Sequence, residues 1–176
     1  MIKSKALYQK IRAEYNVEAQ ANGTCWHPSN PSARDFIIMA KTLTTQTIAN
    51  ELASEIVAAA AAKATEMGCN MCIAITDLSG VLMQFLRMDG AALLSIEISQ
   101  NKAYTAASFG MATHEWFEFI KDDAPLLHGI THTPRLVVFG GGYPIKLNGA
   151  VIGAIGVSGG HYNQDMQVAE AGLAVL

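Results

Sequence analysis

The order of the sequence patterns predicts an α+β fold, in which helices cover an antiparallel sheet. Two hairpin signals support this prediction. One is the pattern CIAIT, DLSG, VLMQFLR, and the other is YPIKL, NG, AVIGAIGV, whose Asn-Gly pair is typical of a type I′ turn. Because hairpins require antiparallel strands, and helix-forming segments lie before, between and after them, helices are expected to pack on an antiparallel sheet.

The remaining elements follow from start and stop signals. A long alanine-rich helix is predicted from Thr44 to Met67, with Thr44 or Thr45 as its cap and Gly68 as its end. The segment RLVVFG is predicted to be a further strand. Three other helices are expected: IEISQNKAYTAASF after a Ser95 cap, HEWFEFIK after a Thr113 cap, and a closing helix from about Asn163.

The chain is expected to consist of an N-terminal extension, residues 1–41, and one domain, residues 42–176. The extension begins with a short amphipathic helix and continues as an irregular stretch rich in Asn, Pro, Ser and Gly. So short a piece cannot bury a core of its own, which is why we do not expect a second domain there.

Composition argues against two classes of partner. The formal net charge is -3 and no basic stripe occurs, which argues against nucleic-acid binding. No apolar run is long enough to cross a membrane and the N-terminus has no signal-peptide core, so we expect a cytoplasmic protein.

Only 15% of the residues are charged, and so little charge favours a homo-oligomer that hides additional surface.

Glycine is concentrated in the stretch Val138–Gly160, which holds eight of the chain's 15 glycines. A Walker loop would require Gly-Lys-Ser/Thr, which is absent, and a dinucleotide fingerprint would require a strand, GxGxxG and then a helix. Here residues that are predicted to form a strand surround Gly153 and Gly156, so the fingerprint does not fit. Gly153 and Gly156 are therefore expected to let another element approach the strand closely.

Two other groups of glycines suggest an anion site. Gly159 and Gly160 lie just before the closing helix, where free backbone N–H groups attract anions, and residues 140–142 precede a strand. Gly141 and Gly142 together with Gly159 and Gly160 could line a pocket for a carboxylate. Plain turn chemistry is the alternative.

Three motifs resemble one family. Arg-Met-Asp-Gly at residues 87–90, Lys-Ala-Tyr-Thr-Ala at 102–106 and Gly-Val-Ser-Gly-Gly at 156–160 are similar to the pattern of the GlcG/HbpS-like family, also called the haem-degrading domain family. The resemblance covers roughly residues 43–176. It implies a profilin-like fold with a five-stranded antiparallel sheet, helices on both sides, and homo-oligomers. Because some members bind haem, it also implies haem as a possible cofactor.

Lys102 and Arg87 are the candidate ligand-binding cations. Lys102 lies inside an apolar helix, where it would bind an anionic group or work with a lowered pKa if buried. The alternative is a lysine that reaches solvent or pairs with Glu97 or Asp89. Arg87 could hold a carboxylate through two hydrogen bonds, or pair with Asp89 or Asp77 to hold the turn.

His161 and Cys25 are the other candidate reactive groups. His161 follows two glycines and could act as acid, base or axial ligand, although a loop histidine is often only solvated. Cys25, with Trp26 and His27, could be a nucleophile or place a thiolate on iron. The alternative is that Trp26 docks the extension.

No metal-ion site is predicted. His128 and His132 are four residues apart, but Gly129 and a nearby proline disfavour the helix that would bring them together, and no third ligand is evident. The pair Cys69 and Cys72 has no second CxxC and is expected to consist of buried thiols.

Three functions remain open at this point. The first is a binding protein for haem or a related small anionic molecule, with Arg87, Lys102, His161 and the glycines around a pocket between subunits. The second is a cofactor-independent enzyme for a small carboxylated catabolite, in which Lys102 and Arg87 hold the carboxylate and His161 or Cys25 is catalytic. The third is a structural partner of a catabolic enzyme.

Overall fold

Four antiparallel strands form the sheet at the centre of residues 41–176, the part of the chain that the computed structural model describes. Their order across the sheet is β2-β1-β4-β3. The strands are β1 (Cys72–Asp77), β2 (Leu82–Arg87), β3 (Gly142–Leu147) and β4 (Ala150–Ser158). The predicted N-terminal helix and Cys25 lie outside the described residues.

Five α-helices are found in the described residues. They are α1 (Asn50–Glu66), α2 (Leu93–Phe109), α3 (Glu115–Ile120), α4 (Ala124–Gly129) and α5 (Tyr162–Leu173), and a short 3-10 turn (Ile130–His132) follows α4. Among residues 41–176, no helix is both long and apolar enough to span a bilayer.

The helices cover both faces of the sheet. Alternate residues of β4 point to opposite faces, so that Ile155 and Val157 join the core formed with α1 and α5, whereas Ala154 packs against Ala106 and Ala107 of α2. The two faces are therefore covered by α2 on one side and by α1 with α5 on the other. The predicted α+β arrangement, with an antiparallel sheet and helices on both faces, is confirmed.

The strand prediction for RLVVFG is wrong. Arg135 has a φ of 69°, which is incompatible with an extended strand, and no strand is present between α4 and β3. The Thr105 hydroxyl donates to the Arg135 carbonyl at 2.9 Å and accepts from Val137 N–H at 3.0 Å. A helix side chain thus satisfies the backbone groups that a sheet would have used. The sheet has four strands in the described residues, and a fifth strand is not confirmed.

The first helix begins later than predicted, at Asn50 rather than Thr44. Residues just before it run along β4 instead, because Ile48 N–H donates to the Ile152 carbonyl at 2.8 Å. The Thr47 hydroxyl also contacts that carbonyl, at 3.3 Å. The predicted end of the helix is confirmed, since Gly68 adopts a left-handed φ of 64° directly after it.

The Asn-Gly hairpin prediction is confirmed. Asn148 and Gly149 have φ values of 51° and 82°, and a type I′ turn requires positive φ at both positions. The turn joins β3 to β4, the longest strand, which pairs with β3 on one side and β1 on the other.

Gly156 allows α2 to lie directly on β4, as the sequence predicts. A Cβ at this position would lie 2.0 Å from the Ser99 carbonyl oxygen and 2.5 Å from Ala103 N, both in the α2 backbone. Gly153 allows β1 to lie close to β4 within the sheet, since a Cβ there would lie 2.5 Å from the Thr76 carbonyl oxygen. Close contact at Gly156 brings Lys102, one residue before Ala103, against the sheet.

Candidate functional site

The structure places most of the sequence-predicted site residues at one end of the sheet. Arg87 lies opposite Cys72, Cys72 lies opposite Ser158, and Gly142 lies opposite Gly156. Arg87, residues 140–142 and residues 159–161 therefore share this end, which we call the glycine end. Arg87 is two strands away from β4, a separation of about 10 Å across the sheet.

Lys102 reaches the glycine end from α2 and is completely buried. Its Nζ donates to the Val157 carbonyl at 2.8 Å and to Asp165 Oδ2 at 2.7 Å, and it lies 4.9 Å from the centre of the Phe139 ring. Burial lowers the pKa of the Lys102 ammonium, while the Asp165 carboxylate opposes this change. The predicted alternatives Glu97 and Asp89 are not its partners.

Asp165 is a residue of the candidate site that the sequence analysis did not predict. It lies in the first turn of α5, is 2% exposed, and accepts a hydrogen bond from Gly160 N–H at 3.1 Å through Oδ1. Burial raises the pKa of its carboxyl, which Lys102 and the amides of Gly160 and Gly159 oppose. A signal was present in the sequence: Asp165 shares the helix face of Val168, Ala169 and Gly172, where a carboxylate needs a cationic partner.

The glycines of this end are in contact with protein rather than with open space. A Cβ on Gly141 would lie 2.7 Å from Lys102 Nζ, and one on Gly142 would lie 2.6 Å from the Lys102 carbonyl oxygen. Gly160 directs its N–H to Asp165. An internal carboxylate thus occupies the place where the sequence reasoning expected an external anion.

His161 lies on the surface beside this buried ion pair. It is the N-cap of α5: its Nδ1 accepts from Asn163 N–H at 3.3 Å, and its own N–H donates to Gln164 Oε1 at 3.0 Å. The imidazole also stacks on Tyr162, with ring centres 4.2 Å apart. Because Nδ1 accepts a hydrogen bond, the neutral ring carries its proton on Nε2.

Arg87 holds a turn through a backbone group rather than through a carboxylate. Its Nη2 donates to the Ala91 carbonyl at 3.0 Å, and neither Asp89 nor Asp77, the partners that the sequence suggests, pairs with it. The residue as a whole is exposed at the end of β2.

The two other histidine candidates, His128 and His132, are not brought to the glycine end. His128 and His132 are exposed, in α4 and in the 3-10 turn, and residues 41–176 contain no group of three or more His, Cys, Asp or Glu side chains suited to a metal ion. Cys72 does lie at the glycine end, opposite Arg87 and Ser158. It is buried, which raises the pKa of its thiol, and Cys69 is half-buried. Cys25 lies outside the described residues.

A surface groove of about 580 Å³ lies at the opposite end of β1 and β2. It runs between the turn that joins these strands and the first half of α2, and Arg135 lies at its edge. None of the residues that line it was among the site candidates.

Comparison with known proteins identifies the family. The family model described as "Haem degrading protein HbpS-like" matches residues 48–174. The chain belongs to the HbpS-like family. The predicted resemblance is therefore confirmed, and it covers the sheet, both of its helical layers and the glycine end.

Relatives of this HbpS-like chain share its fold. It is 42% identical over 129 residues to a Citrobacter freundii protein described as an uncharacterized 15.0 kDa protein in the dhaT-dhaS intergenic region. The aligned residues cover 72% of this chain and 90% of that protein. The crystal structure of Klebsiella pneumoniae ORFY matches with a TM-score of 0.72 and 38% identity, over 76% of this chain and 93% of that one. A structure described as a PduOC:Heme complex matches with a TM-score of 0.70 and 31% identity, over 74% of this chain and 95% of that one.

Proposed function

We propose that this protein is a cytoplasmic binding protein for haem or a related small anionic ligand, with its site at the glycine end. One observation carries the proposal: an exposed histidine, His161, stands at this end in an HbpS-like chain whose fold matches a haem complex at 31% identity. Residues 42–176 would form the binding domain and residues 1–41 its extension.

The side chains at this end suit haem in their donor chemistry. Haem iron is held by His, Cys, Met or Tyr side chains, and both His161 and Tyr162 are exposed here. Arg87 exposes a guanidinium that can bind a carboxylate, whereas the Lys102 ammonium is buried and already paired with Asp165. His161 would thus hold the metal and Arg87 an acidic group. Haem would supply the iron chemistry.

Metal binding through His161 Nε2 requires a change of tautomer. Its Nδ1 accepts the Asn163 amide hydrogen, so Nε2 carries the ring proton. For Nε2 to offer a lone pair, the proton must move to Nδ1, and the hydrogen bond from Asn163 is lost. Losing an N-cap acceptor costs about 0.5–2 kcal/mol, so the cap opposes binding only modestly.

We place the site between subunits of a homo-oligomer. Phe139 and Tyr162 are each 44% exposed near the glycine end, and His161 is exposed as well. Apolar rings exposed on one surface are typical of sites that a second chain completes. A flat ligand would then be covered on the side that one chain leaves open.

Haem titration of the purified full-length chain tests the proposal. We expect a shifted Soret band that weakens in two variants: His161→Ala, and His161→Asn, which keeps an N-cap acceptor but lacks the imidazole. His132→Ala, a change at an exposed histidine in the 3-10 turn, is the matched control and should bind as the natural chain does. Absence of any Soret shift, or equal binding by His161→Asn, would show the proposal to be wrong.

A further inference from the structure

Arg135 adopts a strained backbone conformation beside the surface groove. Its φ of 69° lies in the left-handed region, which costs about 1–3 kcal/mol for a residue with a Cβ and is often found at functional sites. The buried Thr105 hydroxyl holds this conformation by donating to the Arg135 carbonyl and accepting from Val137 N–H. The backbone at Arg135 is therefore fixed by α2 rather than free to relax.

The Arg135 guanidinium is also fixed. Its Cζ lies 3.6 Å from the centre of the Tyr104 ring, and its Nε donates to Asn101 Oδ1 at 3.2 Å. Within residues 41–176, no carboxylate lies within salt-bridge distance of it and no hydrogen bond involves its terminal nitrogens. An exposed arginine side chain normally samples several rotamers, whereas the Arg135 guanidinium is held in one orientation by Tyr104 and Asn101. Its two terminal nitrogens have no partner among residues 41–176.

The groove beside the Arg135 guanidinium is open to solvent and has room for a small molecule. Its volume of about 580 Å³ falls in the range of roughly 300–1,000 Å³ that ligand clefts occupy. Val81 and Ile96 give it apolar surface, and Gln100 and Glu97 on α2 give it polar groups. It lies at the opposite end of β1 and β2 from His161, and none of its lining residues is a His, Cys, Met or Tyr.

We propose that this groove binds a small monocarboxylate with an apolar body and a hydroxyl or ammonium group. The two free nitrogens of Arg135 would receive the carboxylate in a two-pronged hydrogen bond. Glu97 would repel a second anionic group and accept a hydrogen bond from a hydroxyl or an ammonium group. The apolar surface at Val81 and Ile96 would cover the body of the ligand.

Calorimetric titration of the full chain with three matched acids tests the groove. The probes are 3-phenyllactate, phenylalanine and 3-phenylpropionate, which share a skeleton and carry a hydroxyl, an ammonium or only hydrogen next to the carboxylate. We expect the first two to bind more tightly than 3-phenylpropionate, and the tighter of the two identifies the preferred donor. Saturable binding by none of the three would overturn the proposal.

Arg135→Gly is the decisive variant, because glycine accepts the left-handed φ without strain and the fold should persist. Binding of all three acids should weaken roughly tenfold to a hundredfold, the effect of losing hydrogen bonds to a charged group. Lys146→Gln, which removes an exposed cation from β3, is the matched control and should leave binding unchanged. Equal binding by Arg135→Gly and the natural chain would contradict the proposal.

Glu97→Gln provides a second variant on an exposed helix position. It should weaken phenylalanine more than 3-phenyllactate and should not weaken 3-phenylpropionate. Light scattering on the same samples distinguishes a subunit contact from a ligand site: if Arg135→Gly changes the oligomer size and no acid binds, the groove is an interface and the proposal is wrong. Haem titration reports on the other end of the sheet and is not affected by these outcomes.

Discussion

Lys102 Nζ lies 2.7 Å from Asp165 Oδ2, and this ion pair joins α2 on one face of the sheet to α5 on the other. Neither side chain is more than 3% exposed. The two side chains meet at the end of the sheet, beside Val157 of β4. The Val157 carbonyl accepts a second hydrogen bond from the Lys102 ammonium. The Lys102 and Asp165 side chains of the glycine end are thus engaged with each other, so in the proposed haem site the exposed His161, Tyr162 and Arg87 are the groups that would contact the ligand.

Removing one partner of this pair should destabilise the protein strongly. Lys102→Met leaves the Asp165 carboxylate buried without its cation, and broken buried pairs cost about 3–5 kcal/mol in the free energy of unfolding. Urea denaturation measures the change. Lys63→Met, which breaks an exposed pair with Glu66, is the control and should cost less than about 1 kcal/mol.

The double variant Lys102→Met/Asp165→Leu should recover part of that loss, because it removes both charges and leaves apolar side chains of similar size. A single Lys102→Met variant as stable as the Lys63→Met control would contradict the role assigned to the pair.

Adding one methyl group at Gly156 should disrupt the contact between α2 and β4. The Cβ of Gly156→Ala would lie 2.0 Å from the Ser99 carbonyl oxygen, a backbone atom that cannot move without shifting the helix. Overpacking of this kind costs about 1–3 kcal/mol, and rigid backbone on both sides places this site at or above the upper end. Thermal unfolding monitored by circular dichroism should show a clearly lowered Tm.

Gly129→Ala is the matched control for that experiment. Gly129 ends α4, and a Cβ there would meet no atom within 4 Å. Because alanine restricts the unfolded chain more than glycine does, this variant should be unchanged or more stable by up to about 1 kcal/mol. If both glycine variants lost the same stability, the close approach of α2 would not be the cause.

Tyr143 should contribute to a loss of stability in alkaline solution. Burial and its 2.6 Å hydrogen bond to Glu170 raise the pKa of the Tyr143 hydroxyl above its ordinary value of 10.0. The folded state then keeps the proton to a higher pH than the unfolded state does. The stabilising contribution is therefore complete below about pH 10 and is lost as the pH rises through the folded-state pKa.

The variant Tyr143→Phe isolates this effect. Between about pH 9 and 11, the free energy of unfolding of the natural chain should fall more steeply than that of Tyr143→Phe, by at most about 1.4 kcal/mol per pH unit. Glu170→Gln keeps a hydrogen-bond acceptor but removes the charge, so it should give an intermediate slope. Parallel curves for all three proteins would rule out a raised pKa at Tyr143.

Local chemistry in the sequence was sufficient for the α+β class and for several of the turns and close contacts. The Asn148-Gly149 turn, the helix end at Gly68 and the close approach at Gly156 each depend on a few neighbouring residues or on the absence of one Cβ. The three motifs at 87–90, 102–106 and 156–160 indicated the family that comparison confirmed. The sequence also placed a lysine inside an apolar helix, and that lysine is buried.

Only the tertiary structure decided which groups meet. RLVVFG has the composition of a strand, but Thr105 of α2 captures its backbone groups and a left-handed Arg135 turns it away from the sheet. Lys102 and Asp165 are 63 residues apart, and they pair because packing on the two faces of one sheet removes both charges from water at the same edge. A local pattern reports backbone preference and periodicity, whereas the partner of a buried charge depends on which distant elements the core brings together.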